Sequence, residues 1–264
     1  MAPEQQEFSL DGIRREIDAI DDGLLDLIGQ RIAASERVRA TKSTSGALTQ
    51  SPIRPAREAL ILRRLLANKP DAVPADILVR LWRVILSSST LAQAPVIIHL
   101  SHGLAAKPDL RVAIAAHFGA TPLEEHDHEA AAIAVLQSNP GDISVVEPQS
   151  PWIEAFMRGL AGDAWVIGLI PALRQPMQHG LLILGHAQTQ PTGDDETLVA
   201  SSGSLPRDFS PSPLWQLRCG QYVLSSLPGY LNEGDGPLAA LMRSNSALGL
   251  RIAGRYPSPI EVTT

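Results

Sequence analysis

Residues 10–42 read LDGIRREIDAIDDGLLDLIGQRIAASERVRATK. The apolar positions Ile13, Ile17, Ile20, Leu24, Leu27 and Ile28 recur at three- and four-residue steps with charges between them, which is the period of one amphipathic helix. The spacing predicts a helix from Leu10 to about Ala40, roughly 45 Å long at about 1.5 Å per residue. A rod of that length cannot bury its apolar stripe inside one small domain, so a partner chain is expected against it.

Outward from this helix, the stretch STSGALTQS at 43–51 is a turn-rich break. Pro52 and Pro55 then restrict the backbone ahead of a second helix, Ala56 to about Ala67. Pro70 and Pro74 punctuate the next turn, and a third helix is expected from about Ala75 to Gln93, its apolar side made by Ile77, Leu78, Leu81, Val84, Ile85 and Leu91. Residues 1–95 thus read as an all-α domain of three helices. Past Pro95 the texture changes to short apolar runs, Arg111–Ala115, Ile143–Val146, Trp165–Ile170, Leu181–Gly185 and Leu248–Ala253, with helical stretches at His128–Gln137 and Trp152–Leu160. That alternation predicts a C-terminal α/β domain over 96–264, with long loops across the Pro-, Gly-, Ser- and Asp-rich residues 187–213. No internal repeat is present.

The 264 residues are 44% hydrophobic, ample for packed cores, and no apolar run is long enough to span a bilayer. The polar opening MAPEQQEFSL is unlike a signal peptide, so a cytoplasmic location is expected. One cysteine, Cys219, has no partner for an intrachain disulfide and reads as core packing. The net charge of -6 is uneven: residues 1–95 carry 13 Lys or Arg against 12 acids, whereas 96–264 carry 9 against 16. Neither part is basic enough for nucleic acid, and the arginines of the first part are better read as recognising a small anion.

Ser89 and Gln93, four apart, share one face of the third helix. Lys42 follows Arg31 by eleven residues, about three turns, which returns it to nearly the same angular position. Arg14 lies 17 residues before Arg31, so roughly 25 Å away along the axis and turned by about 100°. It cannot reach Arg31's ligand within one chain, and this agrees with the unpartnered stripe in pointing to an intertwined dimer. Arg57 and Glu58 open the second helix, where a carboxylate near the positive end of the dipole is also ordinary. Taken singly, each of these residues has a bland surface reading. Their combination in this order is more specific.

The stretch IRREIDAIDDGLLDLIGQRIAASERVRATK, followed by PIRPARE and RLWRVILSSSTLAQ, resembles the all-helical chorismate mutase family over the whole of that domain. The resemblance implies that Arg14 from the partner subunit and Arg31 clamp the substrate carboxylates, with Arg57 adding to that binding and Ser89 lying on one carboxylate side. It also implies that Lys42 and Gln93 address the ether oxygen and Glu58 the ring hydroxyl. The substrate would be the dianion chorismate, with no cofactor and no metal. A [3,3] shift to prephenate needs no nucleophile and no proton transfer, only a held conformer and donors for the charge growing on the ether oxygen. Arg forks suit the first task. Gln93 donates without needing to be protonated. One departure is Ile53-Arg54-Pro55-Ala56, where family members often carry an acid; the loop before it is also longer by about three residues. Isochorismate pyruvate-lyase resembles the same helical fold and remains an alternative, as does a regulatory or partner-binding protein of aromatic amino acid synthesis.

Residues from about 107 resemble a truncated prephenate dehydratase region, probed by Gly180–Gly185 and by the ending Ile252-Ala253-Gly254-Arg255-Tyr256-Pro257. His179-Gly180-Leu181 stands where that family has its catalytic Thr-Arg-Phe, so no dehydratase activity is expected. His126, Asp127, His128 and Glu129 invite a metal reading, but such a run at a helix start is usually a solvated turn, and no second cluster has suitable spacing. Trp152, Trp165 and Trp215 read as packing residues.

Overall fold

The computed structural model describes residues 9–44, 51–174, 180–234 and 236–261, with the side chains of residues 39 and 42–44 outside that description. Three helices come first: α1 (Leu10–Thr44), α2 (Pro55–Ala67) and α3 (Ala75–Leu91). Ser9 Oγ accepts from Gly12 N at 3.0 Å and so satisfies one orphan amide at the start of α1. Pro55 fixes φ in the first turn of α2, and Pro74, extended at φ -61° and ψ 140°, sets the entry to α3. Most of the break expected over 43–51 lies outside the described residues.

The remainder runs β1 (Ile98–Ser101), α4 (His102–Ala105), α5 (Pro108–Phe118), β2 (Leu123–His126), α6 (Glu129–Ala134), β3 (Ile143–Val146), α7 (Trp152–Met157), β4 (Trp165–Ile170), β5 (Leu181–Gly185), β6 (Asp195–Ser201), β7 (Trp215–Cys219), β8 (Tyr222–Pro228), α8 (Gly236–Ser244) and β9 (Arg251–Pro257). The strands form one mixed sheet in the order β2-β1-β3-β5-β4-β9-β6-β8-β7. β1 is parallel to both neighbours, β4 and β9 are parallel, and the other pairs are antiparallel. Trp152, Phe156, Leu184 and Leu224 belong to one core of this α/β body, and Leu100, Ile114, Val145 and Ile167 to another. Cys219 is buried, and burial raises its thiol pKa. Among the described residues, no helix is long and apolar enough to cross a membrane.

Three expectations need correction. Arg111–Ala115 is helical, inside α5, because Pro108 presets the first turn and alanines follow. The supposed loops at 187–213 contain β6, which opens with two buried acids. Asp195 accepts from Thr192 N at 2.7 Å and Gly193 N at 3.2 Å, and Glu196 accepts from Ser226 Oγ at 2.5 Å and pairs with Arg174 at 3.2 Å. Leu248 is not in a strand: residues 246–248 form a short 3₁₀ turn, Gly249 follows at φ +52°, and β9 begins at Arg251.

α2 and α3 share a core with the sheet. Leu62, Leu78, Val79 and Leu86 are buried with Ala172, Leu173 and Ile260 of the body packed against them. Arg63 of α2 donates to Thr192 Oγ1 at 2.7 Å, Asp194 O at 2.7 Å and Ser258 O at 3.0 Å. Arg83 of α3 donates to Glu58 Oε2 at 2.6 Å and to the His117 carbonyl at 3.0 Å, with side-chain exposures of only 7% for Arg83 and 15% for Glu58. α1 is different. Its apolar stripe faces solvent in the single chain, Ile17 being 51% and Leu24 53% exposed.

The sheet joint at β4 and β9 rests on Gly254, opposite Val166; a Cβ at 254 would lie 2.1 Å from the Val166 carbonyl oxygen. Gly254→Ala should therefore destabilise the chain by about 2–3 kcal/mol in urea unfolding. Removing the cation from the buried pair with Arg83→Ala strands the Glu58 carboxylate and should cost about 3–5 kcal/mol in the same measurement. His117 gives a pH signature: burial, and then the charge of Arg83, hold its imidazole well below the usual 6.5. The unfolded chain takes up that proton more readily, so the stability is complete above about pH 6.5 and falls with acidification, by up to about 1.4 kcal/mol per pH unit. His117→Phe should flatten that slope between about pH 6.5 and 5.

Candidate functional site

α1 and α3 meet where Arg31 lies over the last turns of α3. Arg31 Nη1 donates to the Ile85 carbonyl at 3.2 Å and to Ser89 Oγ, and that hydroxyl in turn donates to the Ile85 carbonyl at 2.8 Å. One turn further, Gln93 Nε2 donates to the Ser89 carbonyl at 3.0 Å. Ser89 lies on the side of α3 that meets Arg31, whereas α3 ends at Leu91, two residues short of the expected Gln93, which sits in the turn that follows and reaches back to Ser89. Partial burial lowers the pKa of the Arg31 guanidinium from its ordinary value, a sign of desolvation, but it stays a cation. The permanent charge of Arg31 on α1 and, one turn apart, the Ser89 hydroxyl and the Gln93 amide can together bind a carboxylate and offer a neutral donor beside it.

Lys42 has its backbone in the final turn of α1. With α1 unbroken from Arg31 onward, the two positions share a face about three turns apart; the Lys42 side chain lies outside the described residues. Arg14 is exposed near the start of α1, 3.4 Å from Asp11, and is not brought to Arg31. Arg57 is exposed on α2. Glu58 is joined to Arg83. Because Arg83 and Ser89 are six residues apart on α3, they leave the helix about 120° apart, and Glu58 belongs to the side facing the α/β body.

Arg83 was not evident as a candidate in the sequence. Its signal is a charge placed among the buried positions Leu78, Val79, Leu86 and Ser87 of α3, where an arginine must find partners. Beside it, between α3, α5 and the body, lies a cavity of about 660 Å³ whose walls include Arg80, Arg83, Leu110, Ala113, Glu147 and Pro171. The histidine run is split between elements: His126 ends β2, and His128 caps α6 by accepting from Ala131 N at 3.1 Å. Trp152 is fully buried, with Trp165 and Trp215 packed partly buried against the cores.

Three comparisons bear on this geometry. A bifunctional chorismate mutase/prephenate dehydratase of Stutzerimonas stutzeri is 28% identical over 141 residues, which cover 44% of this chain and 39% of that protein. The chain therefore spans about two fifths of the length of that curated relative. A solved structure described as GqqA, a novel type of quorum quenching acylases, aligns with a TM-score of 0.40 at 14% identity, covering 61% of this chain and 95% of that one; a likeness so low carries no argument. Residues 13–94, the three helices that hold Arg31, Ser89 and Gln93, match the family model of chorismate mutase type II.

Proposed function

We propose that the chain is a chorismate mutase that rearranges chorismate to prephenate in a site completed by a second copy of itself. The observation that carries the reading is the Arg31–Ser89–Gln93 cluster at the α1–α3 contact, inside the segment that matches the family. Arg31 and Arg57 of one chain, with Arg14 of the partner subunit, hold the two carboxylates and fold the enolpyruvyl arm over the ring. Ser89 supports one carboxylate. Lys42 and Gln93 donate to the ether oxygen, whose negative charge grows as the C–O bond breaks, and so bind the transition state more strongly than the ground state. Glu58, whose carboxylate is held by Arg83, would have to exchange that partner to address the ring hydroxyl. The exposed stripe of α1 supports the dimer: Ile13, Ile17, Ile20, Leu24 and Leu27 are what a second α1 would cover.

A second reading rests on the cavity of about 660 Å³ beside α3. Its wall is largely apolar and carries Arg80 and Arg83 together with Asp76 and Glu147; Arg80 lies 3.7 Å from Asp76 and Arg83 is held by Glu58, so a small acid sensed there by the α/β body would compete with those carboxylates.

Lys42→Ala should reduce kcat with chorismate by about 10²–10³; retention of most activity would defeat the reading. Salicylate formed from isochorismate, with no prephenate from chorismate, would transfer the assignment to the lyase. Arg14→Ala and Arg31→Ala should each be nearly inactive, yet a re-equilibrated mixture should regain roughly a quarter of wild-type turnover, since only hybrid dimers hold one intact site. Turnover should not drop sharply near neutral pH, since Gln93 needs no proton, and prephenate should yield no phenylpyruvate.

A further inference from the structure

The outer edge of the sheet brings together side chains that lie far apart in sequence. His99 on β1 is buried, its side chain 2% exposed, and its Nδ1 lies 2.9 Å from Nε2 of His126 on the neighbouring strand β2. Glu124, also on β2, is paired in register with His99, and its Oε1 lies 3.8 Å from His126 Nε2. One ligand atom from each of the three falls within 4.8 Å of the others. On its far side, His99 Nε2 lies 3.2 Å from Asp142 Oδ2. Asp142 is itself fixed, its Oδ1 accepting from Ile97 N at 2.8 Å.

That last contact sets the chemistry. A carboxylate facing Nε2 calls for the proton there, which leaves the Nδ1 lone pair aimed at His126. Metal-bound histidines are held this way, the ring nitrogen that does not ligate donating to a carboxylate. Two nitrogens 2.9 Å apart stand a few tenths of an ångström closer than the roughly 3.3 Å between two ligands of a tetrahedral ion with bonds of about 2.0–2.1 Å, so a small rotation of the His126 ring seats both on one ion. Without a metal, a single proton must sit between them. A bound metal cation would replace that proton. Glu124 is about half exposed on the edge strand, so rotation of its side chain can close the third bond.

We propose that His99, Glu124 and His126 form a zinc site that ties β2 to β1, with Asp142 as the positioning residue for His99. Two imidazoles and a carboxylate suit zinc, and three protein ligands leave a fourth position for water or a small anion. His128 is excluded, since it caps α6. The site stands apart from the α1–α3 cluster and does not depend on the mutase reading.

The test uses the full chain without any affinity tag, stripped with a chelator and titrated with ZnCl₂, and separately with CoCl₂ read by its visible absorption. Wild type should bind one zinc per chain, gain thermal stability, and give cobalt bands of low-coordinate nitrogen and oxygen ligation. His126→Ala should lose the zinc and the stabilisation, Glu124→Gln should bind at least tenfold more weakly, and Asp142→Asn about 10- to 100-fold more weakly. His128→Ala should match wild type. Equal zinc binding by wild type and His126→Ala, or loss of zinc in His128→Ala, would overturn the proposal, as would no uptake by wild type. His126 and Glu124 lie on an edge strand, so circular dichroism can establish that their variants fold before binding is read.

Discussion

A 35-residue helix, α1, meets α3 around Arg31, in its C-terminal half, and leaves the apolar stripe of its N-terminal half uncovered. Everything on the helical side follows from that constraint. Arg31 anchors the helix to α3, while the stripe from Ile13 to Ile28 stays bare in the single chain. Exposed apolar surface on this scale is the kind that marks an interface. The same geometry keeps Arg14 from Arg31. One property of the chain, the ratio of helix length to local cover, thus governs both how it assembles and which residues can serve one ligand.

The other two helices are fixed by a different force. α2 and α3 lie on the sheet through Leu62, Leu78 and Leu86, and polar groups at the seam are satisfied by specific partners: Glu58 by Arg83, and Arg63 by Thr192, Asp194 and Ser258. α3 is consequently a shared wall. One side presents Ser89 to α1, and another presents Arg83 to the body and its cavity.

Periodic features were legible in the sequence and long-range compensations were not. The first three helices announced themselves because apolar residues recur every three or four positions, and the four-residue step from Ser89 to Gln93 was visible in the same way, whereas the contact of Arg31 with Ser89 is made only by the packing of α1 on α3. β6 was hidden because Asp195 and Glu196 look like loop residues until Thr192, Ser226 and Arg174 are seen to satisfy them. β2, Leu-Glu-Glu-His, is an edge strand exposed along most of its length and lacks the alternation that identifies a half-buried one. Glu58 was read for its place beside Arg57, whereas its partner lies 25 residues away on α3. His99 and Asp142 drew no notice because neither carries a local pattern; the sheet alone makes them neighbours of His126.

The shared core of α2, α3 and the sheet has a consequence for how changes combine. The family match ends at residue 94, but the packing does not, since Ala172, Leu173 and Ile260 close over Leu62 and Leu78. Residues in contact do not respond independently. A cavity opened at Leu62 and one opened at Leu173 therefore fall in the same cluster, and their effects on stability are coupled across the boundary that the match draws.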